Sequence, residues 1–272
     1  MNISLMPIQG KTELLKVAYR IYESAQLAKI RFMYRNLRYI TGVGRPETPL
    51  PPLKLMVWSG GSPDISWFIK GGKLATDSII ATLAKNGVDI ESIEAMLDFG
   101  CGCGRVIRHW KSLKTAQVYG SDYNSKQIDW CQRNLTFAQF DTNSLYPPLI
   151  YNNDKFDLIY AFSVFTHLPE ELQILWINEL SRILKPGGHL LISTHGLHYL
   201  DMLSQNEKEK FLAGQLVVRY EEMAGTNMCG AYHPVKYVTE QLADRFEVID
   251  FIPKGAKGNP YQDIFLLRKP LG

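Results

Sequence analysis

Cysteine is scarce in this chain, and its spacing fits neither a metal site nor a disulfide framework. The 272 residues include four cysteines, at positions 101, 103, 131 and 229, and no C-x-x-C pair. No histidine cluster completes a ligand set, so we expect no metal. Cys101 and Cys103 alternate with glycines, where small side chains are needed, which favours a packing role over a redox role.

Long apolar runs are also missing. No basic segment followed by an apolar stretch opens the chain, as a secretory signal would, and no apolar run reaches membrane-spanning length. We therefore expect a reducing, cytoplasmic setting. The hydrophobic content of 46% is ample for a buried core, and the length fits one large α/β domain or a domain with an appendage.

A general excess of positive charge is absent, because 30 basic residues face 27 acidic ones. Residues 1–45 hold eight basic and two acidic residues, a net charge of +6, so the remaining residues carry −3 of the total of +3. Broad nucleic-acid binding needs a basic surface along the site. No nucleic-acid partner is therefore expected.

The basic N-terminal segment has its own pattern. Apolar residues recur at three- and four-residue steps over residues 11–40, which predicts one long helix packed on the core with a solvated basic face. A weak contact of this basic helix with a membrane surface or another protein is the alternative. Glycine and proline in residues 41–63 predict a connector, so residues 1–63 form an extension and residues 64–272 the main domain.

Glycine is concentrated where a predicted strand ends. The mostly apolar residues 96–99 lead into Gly-Cys-Gly-Cys-Gly at 100–104, and residues 106–110 follow with helical spacing. This pattern predicts a strand, a tight turn and a helix start whose N–H groups are aimed at a ligand. A dinucleotide fingerprint, G-x-G-x-x-G, would need a glycine in place of Arg105.

A carboxylate ends the next predicted strand, Val118–Asp122, 18 residues after Gly104. In a βαβ unit, an acidic residue about 20 residues on binds the ribose of a nucleoside. Its two oxygens can accept from both ribose hydroxyls. Together, the loop and the carboxylate resemble those of the class I S-adenosylmethionine (SAM)-dependent methyltransferases.

The resemblance covers roughly residues 64–195. Residues 156–168 resemble the fourth strand of that family and the loop after it, and Leu-Lys-Pro-Gly-Gly at 184–188 resembles the turn before its fifth strand. It implies an α/β fold with a doubly wound, seven-stranded, mostly parallel sheet whose last strand is antiparallel, plus the N-terminal helical extension. Residues 197–235 are expected to form a substrate-covering insertion.

The resemblance implies SAM as the cofactor. The glycine loop would pass under its methionine part, Asp122 would bind its ribose, and Asn143 would contact adenine unless it caps its own turn. Asp98 would fix the loop or meet the ammonium group. The expected cofactor-binding residues are Asp98, Phe99, Gly100, Cys101, Gly102, Gly104, Arg105, Asp122, Tyr123, Asn124, Asn143 and Ser163.

Two histidines are candidate catalytic residues. His167 follows the fourth predicted strand and His195 ends the fifth, where substrate loops gather in such folds. An imidazole there can take a proton from a hydroxyl or an amine, although a packing or hydrogen-bonding role is the alternative. A base is optional, because positioning alone can contribute about 7–11 kcal/mol.

The sequence thus predicts a SAM-dependent methyltransferase that acts on an oxygen or nitrogen of a small molecule (a metabolite, lipid or saccharide). Ser163–Thr166 replaces the Asn/Asp-Pro-Pro-aromatic loop of relatives that methylate adenine amino groups or glutamine side chains, which disfavours those acceptors. A SAM-fold scaffold protein without catalysis and an NAD-dependent oxidoreductase are the alternatives. Arg105 counts against the second of them.

Overall fold

The computed structural model describes residues 8–27, 29–42, 46–259 and 261–271. Apolar runs bounded by turns form its strands, as expected for a buried sheet. They are β1 (Ala95–Phe99), β2 (Gln117–Asp122), β3 (Gln139–Thr142), β4 (Phe156–Ala161), β5 (Leu184–Thr194), β6 (Val217–Arg219), β7 (Gly230–Tyr232), β8 (Glu247–Ile252) and β9 (Asp263–Arg268).

Seven of these strands form the central sheet, in the order β3-β2-β1-β4-β5-β9-β8. β1 to β5 pair in parallel, whereas β9 runs antiparallel to both β5 and β8. Because β1 lies at the point where the strand order reverses, the loops after β1, β2 and β4 meet at one edge of the sheet. The predicted doubly wound, seven-stranded sheet with an antiparallel last strand is confirmed.

The helices pack on both faces of the sheet and beyond its edge. They are α1 (Ile8–Leu27), α2 (Ile30–Ile40), α3 (Leu53–Gly60), α4 (Ile65–Lys85), α5 (Ser125–Asn134), α6 (Glu170–Ile183), α7 (Gln205–Leu212) and α8 (Val235–Tyr237), which continues as a π-helical turn, Val238–Leu242. One core layer joins α6 to the sheet through Trp176 and Phe99, whose ring centroids lie 4.6 Å apart. The other joins α4 and α5 to it through Ile79 and Ile128.

The N-terminal extension differs from its prediction in two ways. Residues 11–40 do not form one helix, because α1 ends at Leu27 and Lys29 has an extended backbone before α2; Ala28 lies outside the described residues. The segment 41–63, of which residues 43–45 are not described, contains the helix α3 rather than only a connector. No helix in the described ranges combines the length and hydropathy needed to cross a membrane.

The prediction of a helix directly after the glycine loop is wrong. Only a short 3₁₀ turn, Ile107–Trp110, follows it. Arg105, two residues before this turn, and Arg108, within it, are both buried. Arg105 donates to Gly258 and Asn259, and Arg108 donates to the carbonyls of Thr48 and Pro49. These contacts fix the backbone in a tighter turn than an α-helix allows, so no helix dipole is directed at the loop.

Residues 197–235 form a small unit of their own between β5 and α8. The helix α7 is capped by Ser204, which forms a capping box with Glu207, and it packs near the two-stranded antiparallel sheet of β6 and β7. Leu203, Phe211, Val217 and Tyr232 form its separate apolar cluster. A bridge between His195 and Tyr232 ties this unit to the end of β5.

Candidate cofactor and substrate site

The glycine loop lies at the ends of β1 and β2, because these strands are level in the sheet. Phe99 pairs with Ser121, and the carbonyl of Ser121 accepts from the N–H groups of Gly100 and Cys101, at 2.8 and 3.0 Å. Gly100 and Gly102 have φ angles of +77° and +55°. A Cβ on Gly102 would also lie 2.3 Å from the Ser59 hydroxyl oxygen, so only glycine fits.

Asp122 holds this loop in place. Its Oδ2 accepts from the N–H of Gly102 at 2.9 Å, and its Oδ1 accepts from the N–H of Asn124 at 2.8 Å. Burial raises the pKa of Asp122 to about 6, while the two backbone hydrogen bonds act in the opposite direction. An ionised carboxylate has about four acceptor sites, so both oxygens can each accept a further hydrogen bond.

Two adjoining cavities open beside the loop, with volumes of about 150 and 210 Å³. The first extends past Asp122, Tyr123 and Asn143, and Tyr19 of α1 and Trp58 of α3 also line it. The second extends towards Asn259 and Gln262. Five residues line both cavities and mark their junction: Ser59, Gly100, Ser163, His167 and Asn227.

Most of the predicted cofactor-binding residues meet at these cavities. The first cavity is lined by Phe99, Gly100, Gly102, Asp122, Tyr123, Asn143 and Ser163, and the second by Gly100, Arg105 and Ser163. The four other predicted residues, all of them described, are not among the lining residues: Asp98, Cys101, Gly104 and Asn124. Cys101 is buried, and Gly104 faces Leu135 and Cys131.

Asp98 lies behind the loop, in the core. Burial raises its pKa to about 7, and the Tyr160 hydroxyl, Arg105 and the N–H of Ile107 partly offset that rise. Its Oδ2 has no hydrogen-bond partner. Of the two roles expected for Asp98, these contacts favour fixing the loop over meeting an ammonium group in the cavity.

Asn143 faces the first cavity, but its own turn occupies its side chain. Oδ1 accepts from the Ser121 hydroxyl at 2.6 Å, and Nδ2 donates to the Ser144 carbonyl at 2.6 Å. The capping alternative is therefore present in the structure. An adenine contact at this point would involve the remaining lone pair or N–H of the amide.

His167 and His195 lie close together, with ring centroids 6.4 Å apart, but they differ in their partners. His167 donates from Nδ1 to the Cys229 carbonyl at 2.7 Å, because a carbonyl can only accept. Its Nε2 therefore carries the lone pair of the neutral ring. Burial lowers the pKa of His167 below its ordinary value, so the ring is neutral at pH 7.

His195 uses both ring nitrogens within the protein. Nδ1 donates to the Ala231 carbonyl at 3.2 Å, and Nε2 accepts from the Gln262 amide at 3.3 Å. Burial, with His167 as a second cause, lowers the pKa of His195 to about 3. Its ring also packs on Tyr199, at 4.2 Å between centroids. The arrangement of the two rings leaves His167, not His195, with a lone pair at the junction of the cavities.

A polar network fastens the loop before β9 to the site. Arg105 donates to the side-chain oxygen of Asn259, and Gln262 donates to the hydroxyl of Ser163 at 2.8 Å. The Ser193 hydroxyl donates to Gln262 at 2.8 Å and accepts from the N–H of Ser163 at 2.7 Å. These bonds hold Ser163 in a left-handed conformation, with φ of +64°.

Several residues that line the cavities were not predicted from the sequence. Trp58 and Asn227 come from α3 and the insertion, and Asn227 donates to the carbonyls of Val57 and Trp58, which joins those two segments over the cavity. Gln127 on α5 presents a buried Oε1 without a hydrogen-bond partner. Of these residues, Gln127 alone could have been suggested by the sequence, because it lies five residues after the predicted ribose-binding Asp122.

The comparison with known families decides what kind of domain holds this site. A family model described as a methyltransferase domain matches residues 97–192, from β1 to β5. Residues 97–192 form a methyltransferase domain. The resemblance to class I SAM-dependent methyltransferases is thus confirmed, together with the enzyme class and the cofactor, SAM, expected for such a domain.

Curated relatives match less than half of the chain. Methyltransferase GfsG of Streptomyces halstedii is 30% identical over 114 residues, which are 39% of this chain and 39% of that protein. The tRNA N(3)-cytidine methyltransferase METTL2 of Gallus gallus is 28% identical over 137 residues, 46% of this chain and 36% of its own length. The chain thus spans about two fifths of the length of these relatives.

Solved structures extend the likeness to most of the fold. A SAM-dependent methyltransferase from Mesorhizobium loti covers 71% of this chain and 98% of its own, with a TM-score of 0.53 and 17% identity. One from Methanosarcina mazei covers 66% and 93%, with a TM-score of 0.50 and 23% identity. At these identities the likeness concerns the fold alone.

Proposed function

We propose that the whole chain is a SAM-dependent methyltransferase that transfers a methyl group to an oxygen or nitrogen of a small molecule. The observation that carries the proposal is the junction of the two cavities. There the glycine loop tied to Asp122 meets His167, whose Nδ1 donates to the Cys229 carbonyl. A nucleoside-binding carboxylate and a proton acceptor thus lie at one edge of the sheet.

The lining residues fit SAM in chemical character. The unpartnered Oε1 of Gln127 and the carboxylate of Asp122 offer acceptors to a ribose or an ammonium group, and Tyr123 offers an aromatic face to a base. Arg105, whose pKa burial lowers to about 10, remains charged and faces the second cavity, where it suits a carboxylate. When bound, SAM supplies an activated methyl group and its leaving group.

His167 is the residue that we assign to proton removal. Its neutral ring is held by the Cys229 carbonyl, and its Nε2 lone pair can accept the proton of an acceptor hydroxyl or amine at the cavity junction. His195 is a positioning residue in this proposal, because Gln262 and Ala231 occupy its two nitrogens. Gln262 also binds Ser163, which keeps the floor of the junction in one geometry.

A small acceptor is favoured by the way the site is enclosed. Tyr19 of α1, Trp58 of α3 and Asn227 of the insertion all line the first cavity, and Tyr199 of the insertion lines the second. Segments from both ends of the chain therefore surround the reacting position. The second cavity, of about 210 Å³, suits a metabolite, a saccharide unit or the head of a lipid better than a folded RNA.

Binding and transfer test the proposal separately. Calorimetry of the full chain with SAM, its demethylated product and NAD should give binding with the first two only. Methyl-labelled SAM incubated with a metabolite extract, a lipid extract and total tRNA should label an extractable small molecule. Label in tRNA alone would refute the acceptor class, binding of NAD alone would refute the cofactor, and SAM binding without transfer to any extract would indicate a scaffold.

Asp122→Asn tests the ribose site. An amide offers only one acceptor oxygen to the N–H groups of Gly102 and Asn124, and it removes the charge, so SAM affinity should fall about tenfold to hundredfold. Asp129→Asn is the matched control, because Asp129 lies exposed on α5 and pairs only with Arg133. Equal dissociation constants for both variants would show that the ribose binds elsewhere.

A further inference from the structure

The helix α2 exposes an apolar stripe while its orientation is fixed from the other side. Phe32, Asn36 and Tyr39 are buried, and the Asn36 amide donates to the Pro63 carbonyl at 2.8 Å and accepts from the N–H of Ile65 at 2.9 Å. The stripe on the open side follows helical spacing, and its side chains are 54–77% exposed: Ile30, Met33, Tyr34, Leu37 and Ile40.

The helix α1 has a similar exposed stripe. Leu14, Val17 and Ile21, at i, i+3 and i+7, are 42%, 48% and 65% exposed. Its opposite side packs on the domain, since Leu15 is buried and Trp58 donates from Nε1 to Glu23. Neither stripe is therefore an inner face, and contiguous exposed apolar side chains of this kind mark an interaction surface.

The charge around the two stripes is mainly positive. Arg31, Arg35 and Arg38 are exposed on α2, which contains no acidic residue. Arg35 also pairs with the buried carboxylate of Asp64 at 2.8 Å, which leaves Arg31 and Arg38 as the main cationic groups of the helix. On α1, the carboxylate of Glu13 pairs with Lys16 and that of Glu23 is buried against Trp58. An apolar stripe flanked by arginine is the arrangement of a helix that lies in the interface of an anionic membrane.

We propose that α2, assisted by α1, docks the protein on the surface of an anionic phospholipid bilayer. A second copy of the chain is a poorer partner, because two segments of net charge +6 would face each other. RNA is also a poorer partner, since phosphate contacts would leave the exposed Met33, Leu37 and Ile40 in water.

Docking would bring the bilayer to the entrance of the cavities. Tyr19 of α1 lines the first cavity, and the Tyr22 hydroxyl donates at 3.1 Å to the carbonyl of Gly61, which lines the second. The stripes and the cavities thus share the helix α1. The docking surface stands apart from the proposed methyl transfer, because none of its residues is assigned a role in that reaction.

Vesicle flotation of the full chain tests the proposal. Wild-type protein should float with vesicles of phosphatidylcholine and phosphatidylglycerol, much less with phosphatidylcholine alone, and less at high salt. Met33→Glu/Leu37→Glu should lower the partition coefficient by at least about tenfold, because two charges would enter the apolar side. Arg31→Gln/Arg38→Gln should lower it about tenfold on anionic vesicles only.

The matched control is Ile150→Glu/Leu212→Glu, which adds the same charges at apolar side chains that are 72% and 68% exposed outside α1 and α2. It should float like the wild type, and all variants should keep the wild-type melting temperature. The proposal is overturned if wild type does not float, or if Met33→Glu/Leu37→Glu floats equally well. Two results without flotation would also overturn it. Loss of a dimer in Met33→Glu/Leu37→Glu would make a second copy of the chain the partner, and tRNA binding that this variant leaves unchanged would make RNA the partner.

Discussion

Two neighbouring regions of the molecule are fixed in different ways. They are the strand ends that form the site and the helices α1 and α2 beside it. At the strand ends, Asp122 binds Gly102 and Asn124, and Ser193 binds Ser163, so that backbone and side chains fix each other. On α2, one side is fixed through Asn36 and the other side presents Met33 and Leu37 to solvent. The first region is specified by contacts within the chain, whereas the outer side of α2 stays exposed, as the proposed docking on a membrane needs.

His167→Ala should have the largest effect at the strand ends, because it removes the proposed proton acceptor and leaves the contacts that hold the glycine loop in place. Turnover should fall about 10²- to 10⁴-fold, the usual contribution of a positioned base, while SAM affinity is unchanged. His189→Ala is the control, since burial also lowers the pKa of His189, but this residue lies in the middle of β5, opposite Leu158, and lines neither cavity. Equal turnover in both variants would return His167 to a structural role.

The pH dependence of the wild type provides a second measure of the same residue. Burial lowers the pKa of His167, so the ring becomes protonated only at a pH below the ordinary histidine value of about 6.5. The rate should therefore be flat around pH 7 and decline on the acid side below that value. An acid limb centred above pH 6.5 would point to another group.

Among changes that affect stability, Gly72→Ala should lower the free energy of unfolding strongly. A Cβ on Gly72 would lie 2.0 Å from the Arg105 carbonyl oxygen, so α4 would have to move away from the glycine loop, at a cost of about 3 kcal/mol. At the neighbouring Gly71 the nearest such atom is 3.4 Å away, and Gly71→Ala should be neutral or gain about 1 kcal/mol of helix propensity. Urea unfolding of both variants measures the difference, and equal midpoints would contradict the packing.

Asp98→Asn should have an effect on stability that appears only as the pH rises. The pKa of Asp98 is about 7 in the folded protein and near its ordinary value of about 3.9 when unfolded, so folding favours the protonated form. The contribution of Asp98 to the free energy of unfolding therefore declines as pH rises from about 4 to about 7, and the variant lacks this decline. Above pH 7 the variant should be more stable by about 2–4 kcal/mol; a difference in unfolding free energy that is the same at pH 4.5 and pH 8 would contradict this.

Local sequence signals predicted the parts of the molecule that local forces build. Strands β1, β2 and β4 and residues 189–194 of β5 coincide with predicted strands, whereas residues 184–188, predicted as a turn, already belong to β5. Gly100, Gly102 and Asp122 follow from the turn and the strand end at which they stand. These positions need only the chirality of the backbone and the register of neighbouring strands. These strands and the residues at their ends could therefore be predicted locally, whereas the seven-stranded sheet was predicted from the family resemblance. The cofactor-binding roles of these residues stay predictions.

Distant contacts account for the differences. The helix expected after the glycine loop is replaced by a 3₁₀ turn because Arg108 binds the Thr48 and Pro49 carbonyls, which lie 60 and 59 residues earlier. Trp58 and Asn227 reach the cavity from segments 169 residues apart, and no periodicity signals such a meeting. Nor does periodicity show which side of an amphipathic helix faces the core when both sides are apolar, as in α2.

The bond between Arg105 and Asn259 has a consequence for the order in which the protein is made. These residues are 154 positions apart, and Gln262, three positions further on, supports Ser163 at the cavity junction. A nascent chain that has already completed its glycine loop thus lacks these supports until the loop before β9 has left the ribosome. We expect stalled intermediates ending before residue 258 to remain without a finished site, however well their first five strands have assembled.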